Sequence, residues 1–284
     1  MNPTNLTNIS PGALLSPVVD WLNQHWHPLF AFISRVVEAS LDQVEGLLQA
    51  VPSYAVIGTI ALVVAFALSL RMAALVVGTL GFCLLNNLWD KTLQTLALVT
   101  VSVVIAVLVA FPLGVMASRS KRLEATLRPV LDIMQTVPPW VYLIPAVIFF
   151  SLGRVPALMA TIIYGIPPML RLTTLAFKQV PGEMVELGQA LGAKPMTILF
   201  KIELPAAMPT LIVGLNQCIL MSLAMVVLAG LVGAGGLGAE VTRGLTRMEM
   251  GLGLRAGLSI VALALLLDRL SRAALQGKGA HKPK

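Results

Sequence analysis

TLQTLALVTVSVVIAVLVAFPLGVMAS, residues 92–118, carries no charged side chain between Lys91 and Arg119. A helix needs about 20 consecutive apolar residues to cross the hydrocarbon core of a bilayer, and this stretch is longer. A soluble helix would keep a polar face, and none is present here. Working outward, further uncharged stretches occupy Tyr54–Leu70, Met72–Trp89, Ile133–Gly153, Val155–Leu170 and Leu204–Ala239, with Ala256–Leu267 and its flanks last. The reading is an all-α, polytopic bundle of about seven transmembrane spans. Composition agrees. Of the 284 residues 57% are hydrophobic, and mean hydropathy is +0.87. Only 12% are charged, against roughly 25% in soluble domains.

Basic side chains are unevenly spread. With the N-terminus outside and seven spans following, Arg71, Arg119, Lys121, Arg122, Arg128, Arg171, Lys178, Lys194, Lys201, Arg269, Arg272, Lys278, Lys282 and Lys284 fall on the cytoplasmic side. Arg35, Lys91, Arg154, Arg243, Arg247 and Arg255 remain outside. Cytoplasmic loops of membrane proteins carry the excess of Lys and Arg, which sets the orientation as N-out, C-in. The net charge of +7 therefore reflects topology. No basic groove interleaved with aromatics occurs, so nucleic acid is excluded as a partner. No Lys or Arg precedes Arg35, so a cleaved secretory signal is not expected. Cys83 and Cys218 both lie in expected spans and read as small apolar packing residues. Four regions follow: a polar start and amphipathic segment over 1–52, two spans over 53–91, a core over 92–272 with a long cytoplasmic loop at 178–207, and a basic tail over 273–284.

Within the first region, Leu22, Trp26, Phe30, Ile33, Val37, Leu41, Val44, Leu48 and Val51 recur at helical spacing, with Asn23, Arg35, Glu38, Asp42 and Glu45 on the other side. A helix of this kind usually lies in the membrane interface, with Trp21 and Trp26 as anchors; the alternative is a helix packed on a partner subunit, with both tryptophans in the contact. Pro28 is expected to break it in two. Prolines also crowd the fourth and fifth spans, at 138, 139, 145, 156, 167 and 168. In membrane helices they either mark kinked or broken segments that line cavities or only shape packing, and both readings stand. None of the spans holds an ionisable residue near its middle. A secondary transporter or channel generally needs such a group to bind its driving ion. Uphill transport by this chain would take its energy from elsewhere. A membrane-embedded enzyme is disfavoured too, because His25, His27 and His281 lie outside the spans and no nucleophile–base pair is visible.

The loop at 178–207 is larger than a turn requires. Pro181 can open a short helix, Glu183 and Glu186 suit its first turns, and Gly192 can close it in a left-handed cap. Met184, Leu187 and Leu191 share one face. A second short helix is expected from Pro195 to Leu204-Pro205. An amphipathic pair of this size invites a partner with a groove. Gly233, Gly235 and Gly238 spell a GxGxxG, but it follows an uncharged helical span instead of a β-strand, so it reads as a flexible extracytoplasmic loop. No phosphate-binding Walker sequence occurs.

Glu186, Gly192, Ile202 and Leu204-Pro205 match in spacing the EAA loop of binding-protein-dependent ABC import permeases, which this chain resembles. The usual small residues after the glutamate are here Leu187 and Gly188. Further likeness to the permeases of glycine betaine/proline/choline importers lies in 131–146 (LDIMQTVPPWVYLIPA), 165–173 (GIPPMLRLT), 232–238 (VGAGGLG) and 267–269 (LDR). It covers about residues 18–272. The resemblance implies a type I ABC importer (MetI-like) permease fold in the bacterial inner membrane. It implies a homodimer with its pathway on the two-fold axis, two copies of a cytoplasmic ATPase, and an extracytoplasmic binding protein that captures a quaternary amine. ATP and magnesium then belong to the ATPase, and this chain carries no cofactor. Glu186, Leu187, Gly188, Gly192, Ile202, Leu204 and Pro205 become the ATPase-coupling residues. Gln135, Pro138, Trp140, Tyr142, Asn216 and Gln217 become candidates for lining the pathway.

Overall fold

The charge-free stretch 92–118 folds as the middle of one long helix, α4 (Trp89–Arg119), in a computed structural model that describes residues 11–276, with side chains over 17–273. The first ten residues and the basic tail from 277 onward, with His281, lie outside the described residues. Every element among the described residues is helical. Two further helices, α7 (Arg154–Lys178) and α10 (Leu204–Ala229), pack on α4 to form the centre. Lipid offers no hydrophobic drive for helices to associate, so close approach through small side chains holds them. Ala106, Ala110, Gly114 and Ala117 of α4 are all buried. A Cβ on Gly114 would sit 2.6 Å from the Thr173 Cβ, and one on Gly165 of α7 would sit 3.1 Å from the Cys218 Sγ. Two buried hydroxyls meet backbone acceptors a turn away: Thr92 donates to the Leu88 carbonyl at 2.8 Å and Thr161 to Ala157 at 2.7 Å.

Two shorter helices, α2 (Ser53–Ala67) and α3 (Leu70–Leu85), form a second cluster with Leu266 of the last helix, α12 (Met250–Gln276). At 15 and 16 residues they reach only about 22–24 Å at 1.5 Å per residue, short of a ~30 Å hydrocarbon core. Among the described residues, four helices are long and apolar enough to cross a membrane, or up to six if each of two bent pairs is one span. The seven of the sequence reading counts both short helices singly. Ser69 caps α3 by accepting from the Met72 N–H at 3.3 Å, which turns the chain within two residues.

Two proline expectations resolve in opposite directions. Pro28 does not break the N-terminal segment: α1 runs as one helix, Pro11–Gln49, through Pro17 and Pro28. Beyond Pro28, Phe30 packs on Phe149 and Phe150, while Val37 and Leu41 bury in the core. One lost ladder bond does not outweigh that packing. The Pro138-Pro139 pair does break its segment. Here α5 (Lys121–Thr136) is followed by a 3₁₀ turn (Pro139–Tyr142) and α6 (Leu143–Phe150), bent by 107°. The span expected over Ile133–Gly153 is therefore a corner, one of the broken segments that its prolines suggested. Val137 and Pro138 both adopt extended backbone, as residues before proline prefer. In α7 the tandem Pro167-Pro168 stays helical, wedged between α4 and α10 where Pro167 is buried.

The bundle has two distinct ends. One gathers the end of α4, the start of α5, the end of α7 and the start of α10. The other gathers the starts of α4 and α7, the end of α10 and the helix α11 (Gly236–Thr246). At this second end Arg154 donates to Glu38, to Asp42 at 2.8 Å and to Glu45 at 3.3 Å, which fastens α1 to the α6–α7 corner.

Candidate functional site

At the first end, Pro181 (φ −58°, ψ 126°) opens α8, which spans Gly182–Ala190. Gly192 closes it at φ +73°, with its N–H donating to the Gln189 carbonyl at 2.9 Å and the Ala193 N–H to Gly188 at 3.0 Å. A left-handed glycine after the last turn satisfies carbonyls that the helix leaves open. Then α9 (Pro195–Ile198) passes through a π turn (Leu199–Glu203) directly into α10. The second short helix thus does not stop at Leu204-Pro205. The Leu204 N–H reaches back to Leu199, and this widened turn carries the helix through Pro205, which has no N–H to give.

Gly188 is buried against the π turn: a Cβ there would stand 2.6 Å from the Ile202 Cδ1 and 3.3 Å from the Ile198 Cγ1. Most of the rest of α8 is exposed, including the apolar stripe beside Gly188. Leu187 is 62% exposed and Leu191 78%, and Met184, Met196 and Phe200 are exposed beside them. Glu186 and Pro205 are exposed, and Leu204 is half-buried. Pattern reading missed one residue pair here. Arg119, the last residue of α4, donates to Glu203 of the π turn at 2.6 Å. The partners lie 84 positions apart, so no local pattern could have announced the pair. Next to it a groove of about 500 Å³ opens between α4, α5 and α7. It is crossed by the Arg171–Asp132 and Lys178–Glu124 ion pairs and walled by Leu127 and Leu131.

The pathway candidates divide into two groups. Gln135, Pro138 and Trp140 are exposed at the 107° corner. Tyr142 is half-buried there, its hydroxyl donating to the Met134 carbonyl at 2.6 Å and its ring 6.2 Å from Tyr164. This corner packs beside Met225. Asn216 lies nine residues earlier on α10, about 13 Å away along the helix, and turns toward α12, where it accepts from Ser271. Gln217 is exposed. The structure does not bring Asn216 to the corner.

At the second end, the glycine run expected to be flexible is a packed turn. The Gly236 N–H donates to the Gln94 side chain at 3.0 Å and the Leu237 N–H to the Thr95 hydroxyl at 2.9 Å, so two α4 side chains cap α11. A Cβ on Gly230 or Gly238 would fall 2.4 Å from backbone atoms. These glycines are required by close backbone approach, which their spacing alone does not distinguish from a flexible loop.

Residues 106–277 match the family model described as binding-protein-dependent transport system inner membrane component. The chain is 37% identical over 279 residues to the glycine betaine/proline betaine transport system permease protein ProW of Escherichia coli (strain K12), covering 96% of this chain and 77% of that one. It is 39% identical over 269 residues to the glycine betaine transport system permease protein OpuAB of Bacillus subtilis (strain 168), covering 94% and 95%. Among solved structures, an inward-facing form of the MetNI methionine ABC transporter matches with TM-score 0.56 at 23% identity, over 64% of this chain and 92% of that one, a likeness of fold.

Proposed function

We propose, from the premise that this chain belongs to the family of binding-protein-dependent transport system inner membrane components, that it is the membrane permease of an ATP-driven importer of glycine betaine and related quaternary amines. It sits in the bacterial inner membrane, forms the translocation pathway and carries out no chemistry itself. Two copies build the pathway on a two-fold axis, and each engages one cytoplasmic ATPase subunit. An extracytoplasmic binding protein delivers the cargo.

The observation that carries this reading is α8. Gly188 pins it on the π turn, while Met184, Leu187 and Leu191 beside that contact are presented to solvent at the end of a membrane bundle. An exposed apolar helix face backed by a rigid turn suits a groove in a soluble partner. Arg119, Lys121, Arg122, Arg128, Arg171, Lys178, Lys194 and Lys201 cluster at the same end, which supports placing it in the cytoplasm. Nucleotide binding the closed ATPase pair more tightly than the open one shifts the permease between two conformations.

The test is uptake of radiolabelled glycine betaine into proteoliposomes holding the permease, its cognate ATPase and binding protein. Uptake is expected only with internal or external ATP accessible to the ATPase, and Glu186→Lys is expected to abolish it. Uptake by the permease alone, driven by an ion gradient, would overturn the reading.

A further inference from the structure

The π turn at Leu199–Glu203 faces two ways on adjacent residues. Ile202 meets α8 at Gly188, and Glu203 meets the end of α4 through Arg119 at 2.6 Å. Neighbouring residues on a helix point about 100° apart, so one turn can hold both contacts and pass a displacement of α8 straight to α4. An ordinary surface ion pair would carry little, about 0–1 kcal/mol. This one differs in setting. Arg119 is 51% exposed but its partner Glu203 only 14%, and Glu203 sits in the one widened turn among the described residues. π turns of this kind tend to occur where a helix must work. The ion pairs around the neighbouring groove join α5 to α7 or lie within α5, and none of these touches the loop.

We infer that Arg119 and Glu203 form the strut through which the loop moves the transmembrane core, a positioning pair for transport. The inference rests on the proposed function and adds its internal transmission. When the ATPase shifts α8, the Gly188–Ile202 contact drives the π turn, and the charge pair obliges the end of α4 to follow. Without the pair, ATP hydrolysis continues while α4, and with it the packed α7 and α10, lags behind.

The measurement is glycine betaine translocated per ATP hydrolysed, in the reconstituted complex of permease, ATPase and binding protein. Arg119→Gln and Glu203→Gln are each expected to lower that ratio at least about five-fold, the lower range of coupling between linked sites. Hydrolysis rate and the amount of ATPase retained by the permease stay close to the unaltered complex. Exchanging the charges, Arg119→Glu with Glu203→Arg, is expected to recover most of the ratio. Should either neutral variant fail to assemble, Arg119→Lys and Glu203→Asp carry the same readout, each with a partial loss. An unchanged ratio overturns the strut, as does a charge exchange no better than the single variants, or uptake and hydrolysis falling in step. Absence of ATP-driven uptake by the unaltered complex would instead sink the proposed function, so the two failures are distinguishable.

Discussion

Gly188 and Gly238 are both buried, yet a methyl group at each strikes different matter. At Gly188 the nearest atom is the far end of the Ile202 side chain, which can rotate away. At Gly238 it is the Val226 carbonyl oxygen at 2.4 Å, fixed in the ladder of α10. Gly188→Ala is accordingly expected to cost less than about 1 kcal/mol, whereas Gly238→Ala costs about 2–3 kcal/mol or more, as overpacking against backbone does. Thermal unfolding of the detergent-solubilised protein checks the contrast, and equal shifts in Tm would refute it. Gly188→Leu is a different matter, because a side chain of that size must lift α8 from the π turn. Uptake should then be lost with the Tm little changed.

At the scale of elements, α1 and α8 each combine a fixed side with a free one. The acidic side of α1 closes on Arg154, while Trp21, Phe32 and Val36 stay exposed on another face. Removing Arg154 leaves Glu38, Asp42 and Glu45 facing one another without a counterion. Arg154→Gln is therefore expected to raise local opening of α1 roughly ten-fold, since each exposed pair contributes about 0–1 kcal/mol and three act together. Faster hydrogen exchange confined to α1, with α4 and α7 unchanged, is the expected signature. For α8, Leu187→Asp puts a charge at the middle of the outward face. The ATPase co-purifying with the permease should fall about ten-fold or more, as loss of a central apolar anchor does, with the permease itself still folded.

For the molecule as a whole, orientation ties the parts to function. Cys83 and Cys218 are 1% and 0% exposed, so neither should react with a membrane-impermeant maleimide in intact cells. That leaves a silent background for Met248→Cys and Glu186→Cys. Met248 is 92% exposed beyond α11, and Glu186 is exposed on α8 at the opposite end of the bundle. Met248→Cys is expected to label from outside, and Glu186→Cys only after the membrane is opened. The reverse pattern would place the loop on the wrong side for an ATPase and end the importer reading.

The charge-free run at 92–118 fixed α4 as a membrane helix, and the spacing from Glu186 to Pro205 marked the loop, because length, polarity and glycine conformation act locally along the chain. Gly192 took the left-handed cap its position implied. Proline behaved otherwise. The same residue broke the chain at Pro138, bent nothing decisive at Pro28 and stayed helical at Pro167. What differs is whether neighbouring helices compensate the lost hydrogen bond, and no window of sequence contains those neighbours. The same holds for the Arg119–Glu203 pair, for the α4 side chains capping α11, and for the tight turn at Gly230 and Gly238. Each is a meeting of residues distant in the chain, and only the packed bundle brings them within hydrogen-bonding or van der Waals reach.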